Sequence, residues 1–423
     1  GICELTYATI LHILCRILNS AGFSMNEALQ KAFSPARLGN LALRNRIIKS
    51  ATFEGMTPDG MPGDALLAFH QGIVEGGSAM TTIADCAAEA DGRISDQMAY
   101  MGEAQRDAYQ RIVAQLKTSG AAVSGQLSHC GGFSKNRSLQ RLKRPLGPSR
   151  QMNMLGLPHG LPITGTMNHD DIDHLVQVFR DSALYMKQVG FDAIEIHFGH
   201  GYGLSQFISP RTNRRTDEYG GSLDNRMRVP LRVLEAVREG VGDDFPLLGK
   251  MSMCDGIRGG VSWDEGVHVA EYLDKGGIDA LITSGGTSSF NPMLMFRGDS
   301  IINGLIEQEK NPIARMGMKL VGPKLFREFP YEELYFLERA KRIRDKVDCQ
   351  LVYIGGCSTL ASVETLMREG FDFVQLGRAL IKDPNFVNNA LQQPDYDSGC
   401  THCNLCAGMI EAPGGIRCPL NAA

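Results

Sequence analysis

The sequence predicts an α/β protein built as a single (β/α)8 barrel, the TIM-barrel architecture, with a short cysteine-rich segment after it. Three observations lead there. Eight short apolar, β-branched runs are bounded by Gly or turn residues. Stretches with helical spacing separate them. The residues best suited to chemistry gather at the C-terminal ends of the runs. Alternating strand and helix implies a parallel sheet, and eight repeats are the number that closes it into a barrel. An open, doubly wound sheet is the alternative that the same alternation allows.

The first four strands are expected at 46–52 (RIIKSAT), 79–85 (AMTTIAD), 121–128 (AAVSGQLS) and 191–198 (FDAIEIHF). The last four fall at 245–253 (FPLLGKMSM), 277–285 (GIDALITSG), 349–356 (CQLVYIGG) and 371–377 (FDFVQLG). Helical spacing marks 106–120, 172–190 and 231–242, then 264–277, 331–347 and 358–370. Several of these end in Gly, which suits a helix C-cap. Two connections are too long to be turns. Residues 129–168 carry Lys135, Arg137, Arg141, Lys143, Arg144 and Arg150 among Gly and Pro, and residues 286–330 look partly helical. Loops of this length usually form lids or rims. The basic cluster reads equally well as a solvated surface or as an attractor for an anionic nucleotide or thioester.

The bulk numbers narrow the class of function. With 423 residues, 43% hydrophobic and 21% charged, the chain can bury a large core. A formal net charge of -4 offers nothing to nucleic acid or to an anionic membrane. Seven of the eleven cysteines are scattered singly, the pattern of reduced thiols in a cytoplasmic protein, and four crowd into the last 24 residues. Residues 1–24 contain an apolar run broken by His12 and Arg16, too short to cross a bilayer, with Glu4 where a secretory signal would be basic. They read as a non-native or loosely packed leader, with a short amphipathic docking helix as the second reading. The barrel is then expected over 25–394 and the cysteine-rich tail over 395–423. Self-association into a homo-oligomer is left open.

The densest chemistry lies in FDAIEIHFGHGYG (191–203), where a buried strand opens into a glycine-rich turn carrying His197, His200 and Tyr202. Two histidines three apart suggest a metal site, yet no carboxylate lies in the turn, and the nearest acidic residue, Glu195, is on the strand itself. A pair of hydrogen-bond donors for a carbonyl or anionic oxygen fits better. Glycine turns at YIGGC (353–357) and QLGRAL (375–380) follow strands seven and eight, where barrels bind phosphate. Arg378 would add a charge-assisted contact.

The segment FDAIEIHFGHGYGLSQFISPRTNRRTDEYGGSLDNRMR (191–228) closely resembles the signature of the Old Yellow Enzyme family, FMN-dependent ene-reductases on a (β/α)8 barrel. LGNLALRNRIIKSATFEGM (38–56), GQLSHCGG (125–132) and VYIGGCSTLASVETLMREGFDFVQLGRALIKDP (352–384) fit it in the same order. The resemblance implies that Ala51 and Thr52 lie along the flavin by their backbone, that Ala84 packs beside the ring, and that Gln126 bonds its pyrimidine edge. It gives the FMN phosphate to Gly356, Cys357, Gly377 and Arg378. His197 and His200 would grip the oxygen of the substrate's activating group, and Tyr202 would deliver a proton. The implied reaction takes hydride from NAD(P)H through the flavin to an activated alkene, an enone or enal.

The chain departs from the family pattern in two places. Lys250 stands on strand five where relatives usually have Arg, which keeps the charge beside the flavin but loses the bidentate fork. Phe53 stands where relatives place a Thr, Cys or His that tunes the flavin. The last cysteines, Cys400, Cys403, Cys406 and Cys418, have the spacing C-x2-C-x2-C-x11-C. That resembles the branch containing 2,4-dienoyl-CoA reductase and trimethylamine dehydrogenase, in which a [4Fe–4S] cluster follows the barrel. Zinc, or no metal, are the other readings of four cysteines. A cluster would call for an external electron partner. The alternatives to the ene-reductase are an amine dehydrogenase or demethylase passing electrons through the cluster, a metal-dependent barrel hydrolase using the two histidines, and a non-catalytic FMN-binding protein.

Overall fold

The computed structural model describes residues 25–309, 312–326 and 328–421, so the expected leader at 1–24 lies outside the described residues. Eight parallel strands close into a barrel in the order β6-β7-β8-β1-β2-β3-β4-β5. They are β1 Ile47–Lys49, β2 Met80–Ala87, β3 Ala122–Ser128 and β4 Ala193–Phe198, then β5 Leu247–Ser252, β6 Ala280–Ser284, β7 Gln350–Tyr353 and β8 Phe373–Leu376. Each lies inside or against its expected run. Almost every strand residue is buried, as strands covered on both faces require. The open-sheet alternative falls with this closure.

Each strand leads to a helix of the outer ring: α1 Asp64–Glu75, α2 Arg106–Lys117, α3 His169–Val189, α4 Leu223–Val241, α5 Trp263–Lys275, α6 Leu337–Arg344, α7 Leu360–Arg368 and α8 Arg378–Lys382. Their starts are written in the sequence. Asn168 and Asp171 form a reciprocal capping box at α3, Ser262 caps α5 and Thr359 caps α7. The helical pattern at 231–242 extends back to residue 223, because Ser222 caps the true start and the helix carries Pro230 in its buried interior. The proline costs one helical hydrogen bond, which the packing of α4 against α3 and α5 offsets.

The largest departure is at 331–347, where helix begins only at Leu337. Leu334 takes φ +57 and donates its N–H to the Gly356 carbonyl at 2.5 Å, while Glu333 accepts from Ser358. Tertiary bonds to the loop after β7 thus outcompete another turn of helix. A short helix, Glu27–Phe33, and a hairpin, Ala36–Leu38 paired with Leu41–Leu43, precede β1. Leu38 and Leu43 of this hairpin pack with Ile48, Ala122, Leu248 and Ile282, sealing the N-terminal end of the barrel with apolar side chains. The other end is polar. That asymmetry decides where a site can form.

The long connection after β3 is pinned rather than loose: buried Ser134, Asn136 and Asn153 satisfy backbone groups within it and on the loop after β2. Five of the six basic residues in it point to solvent, with Arg141 paired to Asp171 at 3.0 Å. The connection after β6 contains helices Ile302–Gln308 and Pro312–Leu325, matching its partly helical reading.

Packing at the end of α1 is tight enough to test. A methyl added at Gly76 would overlap the Pro384 carbonyl oxygen and come within 2.6 Å of its carbon. Gly76→Ala should therefore destabilise the fold by about 1–3 kcal/mol, read from the urea midpoint; an unchanged midpoint would show that the loop after α8 yields freely.

Candidate active site at the barrel mouth

The C-terminal ends of the strands surround a cavity of roughly 310 Å³, within the range of small-molecule and cofactor sites. Its floor is a hydrogen-bonded network centred on Glu195, which is fully buried on β4. Glu195 Oε1 lies 2.7 Å from Lys250 Nζ on β5 and accepts from Gln126 Nε2 on β3 at 2.5 Å. Its other oxygen accepts from Gln375 Nε2 on β8 at 2.8 Å. Lys250 also donates to Ser50 Oγ at 3.2 Å. The strand register sets Gln126 beside Glu195 and His197 beside Lys250, so sequence alternation alone brings these polar ends to one face.

Above this floor stand His197, His200 and Tyr202. His197 Nε2 lies 2.9 Å from His200 Nδ1, and His200 Nε2 lies 2.7 Å from Ser284 Oγ on β6. The two imidazoles therefore form a chain with each other rather than two free donors directed at one ligand atom. The ring nitrogen left open is His197 Nδ1, buried without a hydrogen-bond partner, 3.8 Å from Asp85 Oδ1, which has none either. Tyr202 packs on His197 with ring centroids 4.2 Å apart and donates its hydroxyl to Asp85 Oδ2 at 3.1 Å.

Asp85 was not anticipated from the sequence. Strand β2 slips register between Ile83 and Cys86, and Asp85 sits in that bulge at φ +47. Bulges redirect side chains at barrel rims, and Asp tolerates the left-handed region better than most residues. The residue of this stretch that lines the cavity is consequently Asp85, while Ala84, expected beside a bound ring, is not among the lining residues. Ala84 instead donates its N–H to Glu54 Oε1 at 3.2 Å.

The opposite end of the cavity is a glycine cradle. Gly356 holds φ +70, and a Cβ there would come within 2.6 Å of the Tyr335 ring. Cys357, Gly377 and Arg378 line the same end. Arg378 donates to the Arg297 carbonyl at 2.8 Å and to Asn404 Oδ1 at 2.6 Å, and it makes no ion pair with a carboxylate among the described residues. Ala51, Thr52 and Phe53 form one wall. The tail supplies another through His402, Asn404, Cys406 and Ile416. His402 stacks on Tyr331 at 3.3 Å, and Ile416 donates its N–H to the Glu54 carbonyl at 2.7 Å, fixing the tail to the barrel.

Burial sets the protonation of the site. It drives His197 far below the usual imidazole range and His200 down to about 3, helped by the nearby Lys250, so both rings are neutral. Burial raises Tyr202 well above the usual phenol range, with Asp85 adding to the effect. The Asp85 carboxyl is pushed up to about 7 by burial, against the lowering effect of the Tyr202 hydrogen bond.

The residues present fit a flavin mononucleotide. Buried amides and an ammonium stand at one end for a polar heterocycle, and glycine turns with an arginine free of carboxylates stand at the other for a phosphate. Gln375 Oε1, Asp85 Oδ1 and His197 Nδ1 are buried and unmet along the way. For the cysteines, a tetrahedral zinc at about 2.3 Å from each sulfur holds them about 3.8 Å apart. Among the described residues no three of Cys400, Cys403, Cys406 and Cys418 place their sulfurs within 4.8 Å of one another.

Comparison with known proteins agrees with this geometry. Residues 31–287 match the NADH:flavin oxidoreductase / NADH oxidase family. The chain is 37% identical to a 4,4'-dithiodibutanoate disulfide reductase of Rhodococcus erythropolis over 395 residues, 92% of this chain and 95% of that protein. It is 27% identical to an NADH oxidase of Thermoanaerobacter brockii over 398 residues, 92% of this chain and 55% of that protein. In fold it is similar to a 6-hydroxypseudooxynicotine amine oxidase from Pseudomonas geniculata N1, with a TM-score of 0.73–0.77 among such neighbours and 0.77 for that structure, at 21% identity. That match covers 93% of this chain and 54% of the other, so this chain spans about half the length of both the oxidase relatives named.

The Glu195 network gives a direct test. Glu195→Gln leaves the buried Lys250 ammonium without its counter-charge and should cost about 3–5 kcal/mol in the denaturant midpoint. Combining it with Lys250→Met should recover part of that loss; a double variant as unstable as the sum of the two singles would mean that the pair does not act as a unit.

Proposed function

Starting from the finding that the chain belongs to the NADH:flavin oxidoreductase / NADH oxidase family, the Old Yellow Enzyme family, and is an NAD(P)H:flavin oxidoreductase, we propose that it reduces an activated alkene such as an enone or enal. The observation that carries this reading is the single cavity joining the Lys250–Glu195 floor, the Arg378 cradle and the His197–Tyr202 wall. FMN, bound there, would supply a two-electron carrier that accepts hydride from reduced nicotinamide and passes it to the acceptor.

The chain's own residues do the rest. Gln126, Gln375 and Lys250 would hold the polar edge of the ring, with the Lys250 charge opposing the negative charge that reduction adds. The backbone of Ala51 and Thr52 would run along it, and Gly356, Cys357, Gly377 and Arg378 would hold the phosphate. His197, neutral and open at Nδ1, would donate to the acceptor's carbonyl oxygen as charge develops there, with His200 orienting it. One such donor is worth about 3 kcal/mol of transition-state stabilisation. Tyr202 would protonate the α-carbon as general acid. Cys400, Cys403, Cys406 and Cys418 would hold an iron–sulfur cluster at the edge of the same cavity.

A second acceptor class has a specific observation behind it. The Rhodococcus relative, matched over nearly its whole length, is named for a disulfide. An organic disulfide needs the same two electrons and two protons, delivered as a hydride equivalent and one further proton, to leave as two thiols, and the same donors would serve.

Purified protein should be yellow, and anaerobic mixing with NADH or NADPH should bleach it. Reoxidation by 2-cyclohexen-1-one supports the alkene reading; reoxidation only by 4,4'-dithiodibutanoate replaces it with the disulfide. Tyr202→Phe should slow the acceptor step by about 10²-fold or more relative to the nicotinamide step, and equal losses in both would remove Tyr202 from the proton-donor role. Anaerobically purified protein should carry iron and acid-labile sulfide, whereas zinc or no metal would make the tail purely structural.

A further inference from the structure

We propose that Asp85 is the positioning residue of the proton-donating tyrosine: its carboxyl, when protonated, frees the Tyr202 hydroxyl toward the cavity and afterwards restores the proton that Tyr202 gives up. This rests on the role given to Tyr202 above and extends it to a residue that no comparison assigns.

The geometry is specific. Tyr202 has one hydroxyl proton, and it is directed at Asp85 Oδ2, 3.1 Å away. While Asp85 is ionised, that proton is held in a charge-assisted bond and points away from any bound acceptor. Once Asp85 is protonated, the carboxyl can donate to the phenol oxygen, and the phenol proton is released to turn into the cavity. The register shift between Ile83 and Cys86, with Asp85 at φ +47, is what turns this carboxyl toward Tyr202. The second oxygen, Oδ1, is buried and has no hydrogen-bond partner, an arrangement far easier to sustain for a neutral carboxyl than for a carboxylate.

Glu54 from the segment after β1 and Glu195 from β4 raise the Asp85 carboxyl, and Lys250 from β5 and the Tyr202 hydroxyl lower it. Cys130 faces it from the loop after β3 as a neutral thiol, and the neutral His197 ring lies 3.8 Å away. Desolvation is left as the dominant influence, and it brings the carboxyl to about 7.

The step balances without a further reagent. The acceptor gains a hydride from the reduced cofactor and a proton from Tyr202. The tyrosinate so formed takes the Asp85 proton along the bond it already shares, and Asp85 is recharged by water between turnovers. One solvent proton is consumed per hydride delivered.

The test is anaerobic stopped-flow reoxidation of the NADH-reduced holoenzyme by 2-cyclohexen-1-one between pH 5.5 and 9. Because the protonated carboxyl is the active form, the wild-type rate at saturating acceptor should be level at low pH and fall about tenfold per pH unit above an inflection near 7. In Asp85→Asn the amide can still donate to the phenol oxygen but has no proton to pass on, so the rate should be low and lack the inflection. A wild-type profile without the inflection overturns the proposal with no variant needed, as does an Asp85→Asn profile that keeps it. Failure of the wild-type protein to bind flavin or to be reduced by NADH or NADPH would instead overturn the functional reading on which the proposal stands.

Discussion

One buried carboxylate holds the site together. Glu195 is surrounded by strand backbone, and a lone carboxylate there would pay several kcal/mol of lost solvation. It is tolerable because three donors from three other strands converge on its two oxygens. The same bonds that satisfy Glu195 fix Lys250, Gln126 and Gln375, so a cation and two amides present a rigid polar floor. Such a network helps only when complete, because each unmet member would carry its own desolvation cost. The apolar hairpin plug at the opposite end explains why all the polar function collects at the mouth.

Much of this could be read from the sequence, for a physical reason. Strands buried on both faces are continuous apolar runs, and each of the eight was visible as one. A Glu between two Ile in AIEIHF was also visible as an anomaly, but its partners lie on strands up to 180 residues away, and no local pattern reports such distances. Asp85 was hidden differently. The resemblance pointed to Ala84, and strand parity could not reveal its neighbour, because the bulge in β2 shifts that parity and brings Asp85 to the cavity. The helix expected at 331–336 failed because Leu334 and Glu333 bond the loop after β7, a tertiary preference stronger than helical propensity.

The tail is part of the site rather than an appendage. Its His402 and Asn404 both adopt positive φ, near +58, which turns the chain sharply across the cradle. Asn404 repays that strain with three hydrogen bonds, accepting from Arg378 and donating to the Phe296 and Asp299 carbonyls. Arg378 is thereby aimed by the tail. Loss of the tail's contacts would loosen a wall of the cavity and the arginine beside it.

The histidine chain adds a constraint that follows from neutrality. A neutral imidazole has one N–H, so the bonds among Ser284, His200 and His197 must all run in one sense. If His200 donates to Ser284, then His197 Nε2 donates to His200 and His197 Nδ1 is left as a bare acceptor. If Ser284 donates to His200, the order reverses and His197 Nδ1 becomes a donor. An oxygen-bearing acceptor can be stabilised only in the second state. Rotation of the single Ser284 hydroxyl therefore selects the tautomer two rings away. Burial keeps both rings neutral and makes this selection possible, since a protonated pair would donate at every nitrogen and lose the distinction.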